Sequence, residues 1–189
     1  MIGSIIPSSA TLVDRMLDQV DWHNTRLFVE YGPGVGTFTQ AILDRLHPDA
    51  TLLAIDLNLD FVAYLEAQFD DPRLKVVHGS AADVRRFIRQ AGHVQADYIL
   101  SGIPFSTLPD TVGASICAET RTALRPGGAF LVYQYSRYVR RLLDPLFAPR
   151  RMQKLAEAVA RLVNELIDGF VDQPEIDFAS QFSVPFPSQ

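Results

Sequence analysis

Cysteine is almost missing from this chain. A single one, Cys117, stands among 189 residues. That excludes an intramolecular disulfide framework and fits a reducing compartment. No apolar run approaches the roughly 18 residues that a membrane-spanning helix needs. The opening stretch MIGSIIPSSATLVDR has neither a cationic n-region nor a long apolar segment, so no signal peptide is expected. Histidine is sparse: His23, His47, His78 and His93 are scattered without ligand spacing, and no metal site is expected. Positive charge is in deficit. The formal net charge of −5 argues against a general nucleic-acid binder, although a local basic patch could override it. There is no internal repeat and no low-complexity tract. What remains is 48% apolar and 21% charged, the composition of a globular protein with one domain's worth of chain.

Apolar periodicity organises that chain. Residues 8–20 predict a capped helix, with Ser8 or Ser9 as cap and Leu12, Val13, Met16, Leu17 and Val20 on one face. Five near-continuous apolar strands follow, at 26–32, 51–57, 74–80, 96–102 and 129–136. Helices are predicted between them at 37–46, about 58–69, 82–92 and about 110–124. Strand–helix alternation of this kind predicts an α/β fold, Rossmann-like and doubly wound, with a mainly parallel sheet and helices on both faces. Ligands in such sheets bind beyond the carboxyl ends of the strands, so the residues just after each strand are the ones to inspect. A further helix is expected over 150–171, and the tail could hold one short strand. The expected division is an N-terminal helix region at 1–25, a core at 26–149, and a C-terminal helix and tail at 150–189 with no assigned role.

The stretch VEYGPGVGTFTQAIL (29–43) places Gly32, Gly34 and Gly36 at alternate positions between a strand and a helix. Bare backbone there lets a ligand approach closely, though a tight turn alone would also use glycine. Asp56 closes the second strand, placed to accept hydrogen bonds from both hydroxyls of a ribose. Together they point to a nucleoside-containing cofactor. Dinucleotide sites carry G-x-G-x-x-G, whereas Thr39 stands where that last glycine would be. Glu30, awkward beside a pyrophosphate, suits a cofactor with cationic amino and sulfonium groups.

The ordered stretches VEYGPGVGTFTQAIL, LLAIDLN, VVHGSAADV, ADYILSGIPFSTLP and LRPGGAFLVYQYS resemble the motifs of class I S-adenosylmethionine-dependent methyltransferases, over residues 27–136. The resemblance implies S-adenosyl-L-methionine as cofactor. It places Glu30, Gly32, Gly34 and Gly36 at the methionine and ribose portions, Asp56 at the ribose hydroxyls and Leu57 against the adenine. Ser80, Ala81, Ala82 and Ser101 complete the implied cofactor set. Many relatives have Asp at the place of Ser80; Asp83 could replace its contact to the adenine amino group or could cap the next helix.

Methyl transfer needs a nucleophile in line with a sulfonium methyl, held after the fourth strand. Enzymes that methylate nucleic-acid amino groups often show Asn-Pro-Pro-Tyr or Asn-Ile-Pro-Tyr there. This chain keeps Ile103, Pro104 and Phe105 but has Gly102 at the place of Asn. Pro104 and Phe105 could also merely shape the loop. The stretches IGSIIPSSATLVDRML, SGIPFSTLP and GGAFLVYQYS resemble bacterial phospholipid N-methyltransferases more closely. That resemblance implies N-methylation of the amino head group of phosphatidylethanolamine-type phospholipids. Ser101, Gly102 and Tyr135 are the candidate catalytic residues; Tyr133 is a second aromatic neighbour for the amine. Residues 137–154 interleave six basic residues with Leu142, Leu143, Leu146 and Phe147. Such a segment suits a membrane surface, or equally a basic helix face with its apolar side in the core. The expected protein is cytoplasmic and peripherally membrane-associated; a homodimer is compatible with the mixed charges of 150–171. A soluble small-molecule acceptor is the alternative, followed by ribosomal RNA adenine, disfavoured by Gly102 and the acidic balance, and by a non-catalytic cofactor-binding protein.

Overall fold

The computed structural model describes residues 10–133, 140–144, 146 and 147. Helix α1 spans Ala10–Leu17. Val13, Met16, Leu17 and Val20 recur at helical spacing and are buried, so this stretch docks onto the sheet. Five parallel strands form that sheet: β1 Leu27–Tyr31, β2 Thr51–Asp56, β3 Leu74–His78, β4 Ala96–Ser101 and β5 Leu124–Val132. Their order is β3-β2-β1-β4-β5. β1 pairs with β2 through Leu27↔Thr51 to Tyr31↔Ile55, and with β4 through Phe28↔Tyr98 to Tyr31↔Ser101. Strand order therefore reverses between β1 and β4, and the carboxyl ends of these two strands are where ligands bind in open α/β sheets.

Helices α2 (Thr37–Leu43), α3 (Leu59–Gln68), α4 (Val84–Gln90) and α5 (Asp110–Ala123) connect the strands, and α6 covers Arg140–Leu143. Every residue of β1 is buried, so alternate side chains feed two cores. Leu27, Val29 and Tyr31 join Phe87 and Ile88 of α4 and Ile116 and Cys117 of α5. Phe28 joins α1 and α2 through Met16, Leu17 and Ile42. The Rossmann-like sandwich expected from the apolar runs is thus present, with helices on both faces.

β5 departs from expectation in its start. It begins at Leu124, opposite Ala96, and the pairing then shifts so that Ala129 lies opposite Tyr98. The Arg-Pro-Gly-Gly stretch is a bulge within the strand rather than a turn before it. Gly127 has φ 83°, and a Cβ on Gly128 would stand 2.7 Å from the Asp97 carbonyl, so only glycine lets the chain pass there. The same end is pinned by Asp97. Its carboxylate accepts from the backbone N–H groups of Arg26 (2.8 Å) and Leu27 (2.9 Å) and from Arg125 Nε.

Candidate active site

Gly32, Gly34 and Gly36 all lie in the left-handed region, at φ 61°, 56° and 83°. They differ in what surrounds them. A Cβ on Gly36 would meet Phe69 at 2.7 Å and Leu65 at 2.9 Å, so this glycine is required by helix packing. A Cβ on Gly34 would meet nothing within 4 Å, and the Gly34 N–H donates to Asp56 Oδ2 at 3.3 Å. The loop is bare where it faces open space. That is the cradle a nucleoside cofactor needs, with an acid at its rim.

Asp56 is buried, and its other oxygen accepts from Asn58 N at 2.8 Å. Its carbonyl accepts from Gly79 N at 2.8 Å, tying the turn after β3 to the end of β2. Leu57, 68% exposed, stands beside it as an uncovered apolar surface. Ser80 accepts from Ala82 N at 3.2 Å and so caps the short turn Ala81–Asp83. Ala81 is buried and Ala82 half-buried. Asp83 pairs with Arg86 at 3.1 Å and makes no side-chain cap bond to α4.

Glu30 is 1% exposed, and Thr39 Oγ1 of α2 donates to its Oε2 at 2.7 Å. Burial pushes this carboxyl up to about 7; the Thr39 bond opposes the shift, and the Asp56 charge adds to it. The sequence marked Thr39 only as a missing glycine. Its partnership with Glu30 needs α2 folded back over β1, although a hydroxyl in the first turn of the helix after a buried acid was a usable signal.

The turn after β4 lies at the same end of the sheet. Gly102 N donates to Tyr31 O at 3.0 Å, and a Cβ on Gly102 would lie 3.1 Å from the Gly32 carbonyl. Ser101 is fully buried; its Oγ accepts from Ile103 N at 3.2 Å, and its carbonyl accepts from Tyr133 N at 2.9 Å. Phe105 is fully buried in the core, which favours its role in shaping the loop. The Tyr133 ring lies tilted on Phe38 with centroids 5.5 Å apart. The structure thus brings Glu30, the three glycines, Asp56, Ser101 and Gly102 to one end of the sheet. Tyr135, Ser8, Ser9 and the stretch 150–189 lie outside the described residues.

In the described part of 137–154 the apolar side chains of Leu142, Leu143 and Phe147 turn inward. Leu143 is buried, Leu142 would crowd any Cβ on Gly113, and Phe147 packs on Phe130 with centroids 6.0 Å apart. Arg141 and Leu146 are left exposed. No helix among the described residues is long and apolar enough to cross a membrane, and none of their acidic, histidine or cysteine side chains cluster as a metal site. Cys117 is buried, its thiol pushed up to about 11 by desolvation, as befits a structural thiol.

Residues 28–128 match the family model described as a methyltransferase domain. An ornithine lipid N-methyltransferase from Singulisphaera acidiphila is 31% identical over 173 residues, covering 87% of this chain and 90% of that protein. A ribosomal RNA small subunit methyltransferase A from Mycoplasma mycoides is 27% identical over 115 residues, covering 56% of this chain and 42% of that protein. Among solved structures, a precorrin-6y C5,15-methyltransferase from Geobacter metallireducens superposes with a TM-score of 0.59, over 77% of this chain and 72% of that one, at 11% identity. That likeness is one of fold.

Proposed function

This chain belongs to the class I S-adenosylmethionine-dependent methyltransferases, and within that family we propose that it N-methylates the amino head group of a membrane lipid. Phosphatidylethanolamine-type phospholipids and an amino-acid lipid such as ornithine lipid share the acceptor chemistry, a primary amine on a lipid. The observation that carries the reading is the likeness to a lipid N-methyltransferase over 87% of the chain. Gly102 supports it. A side chain there would press on the Gly32 carbonyl, so the turn offers no Asn amide to a nucleobase.

Bound S-adenosylmethionine supplies an electrophilic sulfonium methyl. In the proposed site Asp56 accepts from the ribose hydroxyls, Leu57, Ala81 and Ala82 flank the adenine, Ser80 keeps their turn in shape, and Glu30 faces the cationic amino group across Gly32, Gly34 and Gly36. The backbone carbonyl of Gly102, beside the buried Ser101, accepts an N–H bond from the lipid amine and aims its lone pair. Tyr135 presents an aromatic face to an ammonium that gains methyl groups. Access to lipid is proposed through peripheral contact at the cytoplasmic membrane surface, using the basic segment 137–154, of which Arg141 and Leu146 are exposed. The division into 1–25, 26–149 and 150–189 is kept as a proposal, with a homodimer compatible.

The test is radiolabelled methyl transfer from S-adenosylmethionine to vesicles of phosphatidylethanolamine, vesicles of ornithine lipid, and lipid-free amines. Label in a lipid phase identifies the head group. Label only in soluble amines would replace this reading with the small-molecule alternative.

A further inference from the structure

Among the described residues, Glu30 is a carboxyl buried without a cationic partner. It sits on the β1 face shared with Phe28, which packs against α1 and α2. From α2 it meets the Thr39 hydroxyl. Opposite it, β2 presents Ala54 and β4 presents Leu100. The ionisable groups on this face are few. β2 contributes Asp56, a second acid. β4 contributes Tyr98, whose hydroxyl accepts from Asp21 N at 3.1 Å, and β5 leads to Tyr133 on Phe38. On α1 the charged side chains of Asp14 and Arg15 are exposed, and Asp14 is paired with Arg45 at 2.6 Å.

A buried carboxylate with a second acid nearby and only a hydroxyl donor is unfavourable as an anion. Free of ligand, it is biased toward the protonated form. A cation docked in the glycine cradle reverses that balance, because opposite charge at short range favours the ionised form. Thr39 decides how much. Its O–H donates to the anion and lowers the cost of ionisation, and it fixes one oxygen toward α2. An acid in this loop that faces the cofactor is a family feature; its coupling to a proton through Thr39 is read from the geometry above.

We infer that docking of the cofactor's cationic amino group expels a proton from the Glu30 carboxyl to solvent, and that Thr39 is a positioning residue whose hydroxyl, by donating to the carboxylate, limits how much of that proton is left to expel. The step balances simply: the O–H bond of the Glu30 carboxyl breaks, the proton passes to buffer, and the carboxylate pairs with the ammonium. No bond of the cofactor changes. The inference rests on the methyltransferase reading and adds a proton linkage to it.

The test is calorimetric titration of the full chain with S-adenosylhomocysteine, in phosphate and in Tris. These buffers differ widely in ionisation enthalpy, so a released proton appears as a buffer-dependent heat. With Glu30 near 7, about half a proton per site should be released at pH 7, falling to about a tenth at pH 8. Glu30→Gln should bind with the same heat in both buffers. Thr39→Val should raise release at pH 7 toward one full proton, and Thr39→Ser should return it to the wild-type value. A structural role in α2 alone would not move the buffer slope. Binding with equal wild-type heats, or a slope unchanged in Thr39→Val, overturns this inference and leaves the cofactor assignment standing. No binding of S-adenosylhomocysteine would overturn both.

Discussion

Two acids are buried at opposite ends of the same sheet, and their company differs. Asp97, at the amino end of β4, is 7% exposed and accepts from two backbone N–H groups and from Arg125. Glu30, at the carboxyl end of β1, has a single hydroxyl, Thr39, and a second acid nearby. Among the described residues, one carboxylate has three donors built in and the other has a single hydroxyl. The amino end is a closed joint, with the Trp22, Phe28 and Tyr98 rings stacked beside it. The carboxyl end keeps left-handed glycines, open space at Gly34 and an uncovered Leu57. Donors and stacked rings close one end; bare backbone and an exposed leucine mark the other.

That contrast breaks most visibly at Asp97. Asp97→Ala leaves the buried Leu27 N–H and the neighbouring Arg26 N–H without an acceptor, and should cost about 3–4 kcal/mol in urea unfolding. Affinity of the folded fraction for S-adenosylhomocysteine should stay as it is. A parallel loss of affinity would mean that the two ends are coupled.

Next in size is the pH dependence of Glu30 in the cofactor-free protein. Its ordinary value is 4.5, and in the fold it stands near 7. Below pH 4.5 the group is protonated in both states, and its burial costs nothing in charge. Between 4.5 and 7 the unfolded chain ionises first, so stability falls as pH rises. Above 7 the loss is complete, at roughly 3 kcal/mol. Glu30→Gln should flatten this part of the profile, making the variant the more stable protein at pH 8. Thermal melts across pH 4–8 distinguish the two curves.

The smallest effect is also the most local. Asp56→Ala should weaken S-adenosylhomocysteine binding by about 1.5–3 kcal/mol, as for a lost charge-assisted hydrogen bond. The Gly34 and Asn58 N–H groups that it now engages lie at the carboxyl end of the sheet, where water can replace it. Unchanged affinity by calorimetry would remove Asp56 from the ribose.

β1, β2 and β4 were legible because buried parallel strands read as apolar runs, and the expected starts of β1 to β4 lie within a residue of those observed. The glycine loop and Asp56 were legible because both are local: a turn needing positive φ and an acid ending a strand. β5 was misjudged at its start. Arg-Pro-Gly-Gly reads as a turn along the chain, and only the Asp97 backbone across the sheet turns it into a bulge. The segment after Tyr133 was ambiguous for a similar reason. Basic residues interleaved with leucines fit a membrane surface or a core face equally, until Phe130 and the α5 surface claim Leu142, Leu143 and Phe147.

The sequence by itself determined the alternation of strands and helices, the bare loop at residues 32–36 and the acid at its rim. These depend on neighbours along the chain: the period of burial, the sterics of a missing Cβ, the end of a strand. Tertiary structure alone decided which acid is satisfied and which is not. Glu30 and Asp97 look alike in the sequence, each an acid within a buried strand. Among the described residues, folding carries Arg125 and two backbone N–H groups to one of them, and a threonine hydroxyl to the other. The charge state of a buried carboxyl depends on donors that reach it through space, and chain order does not encode that distance.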